Sequence, residues 1–250
     1  DEALRRGADC IATGHYARVQ SAQCKVQSDG ATLQENFTLL RSADKAKDQT
    51  YFLWTLTQEK LRRCLFPIGD YLKSEVREMA RERGLVTADK RESQGLCFLG
   101  KIDVRAFLAE HIGTMEGDVL DAASGAVIGT HAGAALYTLG QRHGFHTYPT
   151  SPMSSPFYVV ARDVAANTIT VASRAGVCTA AGARGEVDLS DCDWINEAPE
   201  TGCVYQGRIR HRGELMPCHV ELSEAAAKSA RVIFETPLLA ASGQSLVLYQ

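Results

Sequence analysis

The sequence predicts an α/β domain followed by a small central β-rich domain and a C-terminal β-barrel. Three observations carry this prediction. Strand-like and helix-like runs alternate up to about Gly100, the pattern of an α/β layer. From Gly113 short strand-like runs take over, separated by the turn pairs Ser124-Gly125 and Ala166-Asn167. From about Arg174 further strands follow at the close spacing of a small barrel. The corresponding domain limits are 1–100, 101–173 and 174–250.

Taken in order, residues 1–6 read as the last turns of an amphipathic helix ending at Gly7, and residues 8–13 as a short buried strand. Such a strand needs a parallel neighbour, so earlier strands are expected upstream of Asp1 and the first domain is read as truncated. Residues 245–249, a strand meeting the terminus without a closing turn, point to a fragment as well. Residues 25–32 and 37–41 look like a hairpin around Ser28-Asp29-Gly30. A helix is expected within residues 48–63, after which Pro67 and Gly69 turn the chain. Val76, Met79, Ala80 and Arg83 repeat with helical period after Ser74, and Gly84 ends that helix. Residues 104–111 form another short helix. Strands are expected over 117–121, 126–131, 157–163 and 168–172, with a Pro-rich loop at 148–156. The barrel strands are 186–189, 204–210, 218–222, 230–235 and 245–249.

Composition narrows the function classes. Of 250 residues, 45% are hydrophobic and 23% charged, enough apolar content for a core. The net charge of -3 gives no global sign of nucleic-acid binding. Between Arg41 and Arg105, however, 14 Lys/Arg stand against 10 Asp/Glu, a local +4 in an otherwise acidic protein. That suits a phosphate-bearing partner on one face, or a solvated helix surface. The eight cysteines contain no Cys-x-x-Cys pair, which excludes a zinc ribbon or a thioredoxin-type motif. Cys218-His219 is a poor metal pair, because adjacent strand residues face opposite ways. No apolar run approaches the roughly 20 residues of a membrane span, and no signal peptide opens the chain. A reducing cytoplasm is the expected compartment, with no membrane partner.

Four segments carry chemistry. Thr13-Gly14-His15-Tyr16-Ala17-Arg18 follows the first strand at its carboxyl end, where open α/β sheets bind ligands. Gly14 would admit close backbone approach and His15 could contact a base; a capped strand with a core histidine is the other reading. Lys45-Ala46-Lys47-Asp48-Gln49-Thr50-Tyr51-Phe52-Leu53 combines lysines for phosphate with Asp and Gln for base or sugar edges. It equally reads as a helix capped by Asp48, with Tyr51, Phe52 and Trp54 turned inward. Arg208, Arg210 and Arg212 fall on one strand face by alternation, an arginine row suited to phosphate. In Glu92-Ser93-Gln94-Gly95-Leu96-Cys97-Phe98-Leu99-Gly100, basic Lys90, Arg91 and Lys101 flank Cys97 and favour its thiolate, although a buried, inert cysteine competes.

Five motifs, Thr13-Gly14-His15-Tyr16-Ala17-Arg18, Lys47-Asp48-Gln49-Thr50-Tyr51-Phe52-Leu53, Ser93-Gln94-Gly95-Leu96-Cys97-Phe98, Tyr137-Thr138-Leu139-Gly140-Gln141-Arg142 and Gly243-Gln244, resemble the tRNA-specific 2-thiouridylases in order and approximate spacing over essentially the whole chain. The resemblance implies a truncated PP-loop, adenine-nucleotide α-hydrolase-like first domain. It also implies ATP, with Mg2+, as cofactor, tRNA as substrate and a sulfur-relay protein as donor. ATP adenylates the C2 oxygen of the wobble uridine, and sulfur from a cysteine persulfide then replaces it. By resemblance Cys97 carries the persulfide, and the family's other cysteine attacks it to leave a transient disulfide. Gly14 corresponds to a backbone contact with ATP. His15, Lys47, Asp48, Gln49, Arg210, His211 and Gln244 correspond to tRNA contacts, although His211 stands where tyrosine is usual. Cys10, Cys24 and Cys64 read as structural. The family's Ser-Gly-Gly-x-Asp-Ser phosphate loop and first catalytic cysteine belong upstream of Asp1, so the fragment alone is expected to be inactive. Two other readings remain: a non-catalytic RNA-binding module, and a cysteine hydrolase using Cys97.

Overall fold

The computed structural model describes residues 2–25, 33–90, 104–148, 156–177, 183–223 and 228–250. The chain divides into two compact units. One comprises Asp1–Lys90, Asp188–Val232 and Ser245–Gln250; the other comprises Arg91–Val187 and Ile233–Gln244.

In the first unit, helix α1 (Glu2–Arg5) is a single turn in which Glu2 pairs with Arg5 and Arg6. Strand β1 (Ile11–Ala12) is only two residues long, half-buried then exposed, rather than the buried strand expected over residues 8–13. Its parallel neighbour is downstream: Ile11 pairs with Cys64. The hairpin is also displaced from its expected place. Strands β2 (Ala17–Lys25) and β3 (Leu33–Arg41) pair in register from Ala17↔Arg41 to Lys25↔Leu33. The polar alternation along β2 had hidden it, and residues 26–32 lie outside the described set.

The helix expected within residues 48–63 is present but short, and it does not start at Asp48. A 3-10 turn, Thr50–Phe52, is followed by a separate short helix α2 (Gln58–Leu61). The Thr57 hydroxyl accepts from Lys60 N, so α2 starts from its own cap rather than continuing a turn. Gln58 then fastens α2 to β3, its amide exchanging two 2.8 Å hydrogen bonds with the Phe37 backbone. Strand β4 (Cys64–Leu65) returns the chain to β1, and helix α3 (Lys73–Glu82) follows. Gly84, at φ +63°, closes α3 as the sequence predicts. Gly69 matters for another reason: a Cβ there would lie 1.8 Å from the Ala17 carbonyl, so only glycine lets the start of β2 pass.

The second unit opens with helix α4 (Val104–Ile112). Strands β5 (Gly117–Asp121), β6 (Val127–His131), β7 (His146–Thr147), β8 (Phe157–Asp163) and β9 (Thr168–Ser173) form one sheet in the order β7-β6-β5-β9-β8. Both expected turns are present, with Gly125 and Asn167 at positive φ. Val119, Val159, Ile169 and Val171 are buried against Tyr137, whose hydroxyl donates to the Gly144 carbonyl.

A second five-stranded sheet has the order β10-β13-β12-β11-β14, from β10 (Arg184–Leu189), β11 (Tyr205–Arg208), β12 (Met216–Leu222), β13 (Ala230–Leu238) and β14 (Val247–Tyr249). Strands β10 and β13 carry residues of both units. Cys218 and Val220 on β12, and Ala230, Val232 and Phe234 on β13, are buried with the period of two that a half-buried strand requires. Strand β11 ends at Arg208, two residues short of the expected limit.

Candidate nucleic-acid interface

The site grows around Asp48, whose side chain is 1% exposed. Strand β3 delivers Arg41, and the chain then turns through a loop shaped by Asp44. The Asp44 carboxylate accepts Ala46 N at 3.1 Å and Lys73 N at 3.0 Å, while its carbonyl accepts the Ser42 hydroxyl at 2.7 Å. This leaves Lys45 and Ala46 exposed and turns Asp48 inward. There one Asp48 oxygen, Oδ2, accepts from Arg41 Nε at 3.2 Å and from Arg208 Nη1 at 3.1 Å. The Thr50 hydroxyl lies 3.0 and 3.1 Å from the two carboxylate oxygens, and the amides of Ser42 and Thr50 approach at 3.4 Å.

A carboxylate this deep costs several kcal/mol to desolvate unless it is paired and hydrogen-bonded. Two guanidinium groups and a hydroxyl meet that requirement. Tyr249 from β14 completes the node: its ring centroid lies 5.1 Å from the Arg208 guanidinium and 6.0 Å from that of Arg41, within or at cation–π range. Its hydroxyl sits 3.2 Å from the Thr50 hydroxyl. Burial pushes the Tyr249 phenol up, partly offset by that hydrogen bond. Tyr51 is raised chiefly by burial too, and its hydroxyl reaches the Ile209 and Ser245 carbonyls at 3.1 and 2.8 Å.

Outside the node lies a cavity of about 490 Å³ lined by Lys45, Ala46, Lys47, Asp48, Arg208, Arg212 and Gly213. Four cations against one carboxylate give it positive walls, since the node consumes only part of the charge. Its far lip is the turn after β11, closed by Gly213 N donating to the Arg210 carbonyl at 2.9 Å. Arg212 occupies the left-handed position of that turn, φ +58°, which favours glycine. His211, one residue before, lies 4.5 Å from the Phe52 ring at 38° and 6.4 Å from Tyr51. Burial, then the charges of Arg212 and Arg208, hold the His211 imidazole below its ordinary range, against Asp48, so it is neutral at pH 7.

The expected site residues therefore separate. Lys47 lines the cavity, Asp48 is buried beneath it, and exposed Arg210 opens the turn. Gln49 joins two of the sequence segments: its side-chain Oε1 accepts from Tyr16 N at 2.9 Å, and its backbone N–H donates to the Tyr16 carbonyl at 2.9 Å. Gly14 is exposed, with nothing within 4 Å of where a Cβ would stand, and His15 Nδ1 lies 2.9 Å from the Thr13 hydroxyl. Gln244 belongs to the second unit, where its backbone N–H donates to the Ala241 carbonyl at 3.3 Å. Cys97 lies outside the described residues.

The arginine row is corrected. Arg208 is buried and ion-paired, while Arg210 and Arg212 sit on a turn, where strand alternation no longer applies. Phe52 is corrected as well: it is 55% exposed rather than packed inward, because the 3-10 turn points Tyr51 and Phe52 in different directions. Sequence reasoning missed Arg41 and Tyr249 altogether; neither belongs to a motif, and only the long-range pairing of β11 with β14 brings Tyr249 to Asp48. Cys10, Cys64, Cys192, Cys203 and Cys218 are free thiols, and burial pushes Cys218 up to about 11, which leaves it unreactive at neutral pH.

These features define an α/β chain with appended β-sheet units and a cation-lined groove. Family models match in three consecutive blocks: "tRNA methyl transferase HUP domain" over residues 1–101, "tRNA methyl transferase PRC-barrel domain" over 105–173 and "Aminomethyltransferase beta-barrel domain" over 184–250. The "tRNA-specific 2-thiouridylase MnmA 2" of Aliarcobacter butzleri is 37% identical over 257 residues, covering 100% of this chain and 66% of the relative. The MnmA proteins of Stenotrophomonas maltophilia and an Azoarcus species are 39% and 36% identical over the whole chain, which spans 62% and 68% of their lengths. The chain belongs to the tRNA-specific 2-thiouridylase family. It spans slightly less than two thirds of the first relatives it matches.

Proposed function

We propose that this chain serves an enzyme that thiolates tRNA, holding the RNA in the groove beside Asp48 and carrying sulfur on Cys97. The observation that carries this reading is the convergence of Lys45, Lys47 and Arg212 on one cavity in a chain of this family. Cations grouped on a groove wall release counterions from an RNA backbone, which is the main source of its affinity. In this reading ATP converts the wobble uridine's C2 oxygen into a leaving group, releasing pyrophosphate. The terminal sulfur of a Cys97 persulfide, loaded by a donor protein, then attacks C2 and AMP departs. A second thiol takes up the remaining Cys97 sulfur as a disulfide, which balances the electrons. Gly14 fits the nucleotide on one count: its backbone is open to close approach at the carboxyl end of β1. The seven tRNA contacts divide by chemistry: Lys47, Arg210, His211 and Gln244 suit direct contact, His15 and Gln49 suit shaping the neighbouring backbone, and Asp48 acts through Arg41 and Arg208.

The test is Cys97→Ser in the whole enzyme. Thiolation of the wobble uridine should fall to background, with tRNA affinity changed less than about twofold and its salt dependence intact. Retained thiolation overturns the sulfur-carrying role. Salt-dependent tRNA binding with no thiolation by the wild-type enzyme favours a binding module instead. Limited proteolysis, with cuts near residues 100 and 174, tests the three-domain division.

A further inference from the structure

We infer that Phe52 and His211 form a stacking platform for one unpaired nucleobase at the edge of the cationic groove. The inference rests on the tRNA-holding reading above and adds what that reading leaves out, a contact to a base rather than to phosphate. The Phe52 ring is 55% exposed, and its centroid lies 4.5 Å from that of His211 at an interplanar angle of 38°. A single exposed aromatic residue would call for no explanation. This one is backed by a second ring and adjoins the turn that supplies Arg212 to the groove.

The histidine defines what the platform reads. His211 Nδ1 is buried with no hydrogen-bond partner. A buried N–H without an acceptor is rarer in proteins than an under-used acceptor, so the neutral ring keeps its hydrogen on Nε2. Burial and the neighbouring Arg212 and Arg208 charges keep the ring in that neutral form. The pair therefore offers an apolar face and no charge. A phosphate is better served by Lys45, Lys47 and Arg212 close by. A nucleobase matches the pair, with a π face for the exposed ring. Duplex RNA hides its base faces, so the occupant is a nucleotide of a loop or bulge. Because His211 and Arg212 are consecutive, base and backbone of that nucleotide are met by one turn.

The experiment uses the 250-residue chain with a 2-aminopurine-labelled RNA stem–loop and a blunt duplex of matched length. Stacking should quench the loop fluorophore on binding. Phe52→Leu should abolish the quench and weaken stem–loop binding roughly tenfold, leaving duplex affinity and the salt slope unchanged. Phe52→Trp should retain both signals, and His211→Ala, which leaves Phe52 in place, should reproduce the loss. Wild-type quenching and affinity in Phe52→Leu, with salt-dependent binding preserved, overturn the platform and leave the tRNA reading standing. Failure of the wild-type chain to bind either RNA overturns both.

Discussion

Arg208 and Arg212 are four residues apart, on two sides of the same turn, and they live in different electrostatic worlds. Arg208 is buried with 6% of its side chain exposed, paired with Asp48 and set over the ring of Tyr249. Arg212 is exposed at the lip of the groove and held in a left-handed backbone conformation. The first is structure: its charge is matched, and removing its partner would strand it. The second accepts local backbone strain while placing a cation on the groove wall. The difference teaches that a charge count along a sequence says little until each cation's partner is known.

The sharpest test of this contrast is Asp48→Asn, which keeps the shape and deletes the buried negative charge. It should cost about 3–5 kcal/mol of stability, read as a fall in the urea midpoint, because Arg208 is left uncompensated. Adding Arg208→Met should recover a large part of that loss. A cost under about 1 kcal/mol for the single variant would mean that Asp48 is not the counter-charge that the geometry makes it.

Arg212→Gly probes the other side. Relief of the left-handed conformation, worth roughly 1–2 kcal/mol, offsets the roughly 0.5–1 kcal/mol of extra freedom glycine gives the unfolded chain. Stability should therefore hold or rise, while RNA binding weakens several-fold and its salt slope falls by about one phosphate contact. Loss of both stability and binding would place Arg212 with Arg208 as a structural residue.

The smallest effect concerns His211. Its folded-state pKa lies below the unfolded value near 6.5, so the unfolded chain takes up the proton first as pH falls. Stability contributed by the neutral ring is complete above about pH 6.5 and declines below it until the folded-state value is passed. Urea midpoints at pH 8, 6.5 and 5 should show that decline, and His211→Phe should reduce it.

Some of the local structure was legible in the sequence. Helix α3 follows from the spacing of Val76, Met79 and Ala80 with Gly84 behind it, and the β8–β9 hairpin follows from its Ala166-Asn167 turn. Within residues 48–63 the presence of a helix is legible but its start is not, because a cap such as Thr57 and a continuing turn look alike until the hydrogen bond is seen. The groove was half legible. Lys45, Lys47 and Arg212 stood in segments already singled out, whereas the role of Asp48 depends on Arg208, 160 residues away. No local pattern can encode such a partner, and Phe52 could be placed outside only once the 3-10 turn was known.

The Thr50–Tyr249 contact closes over 199 residues of chain. Closing so long a loop carries an entropic cost that neighbouring pairings do not, so this contact is expected to follow the local pairings. Until β14 is laid against β11, Asp48 has no aromatic lid and Arg208 no settled place, so the groove has only its near wall. Under the proposed RNA-holding reading, a chain in which β14 has not docked should bind RNA weakly, and RNA affinity would then double as a report on the docking of β14.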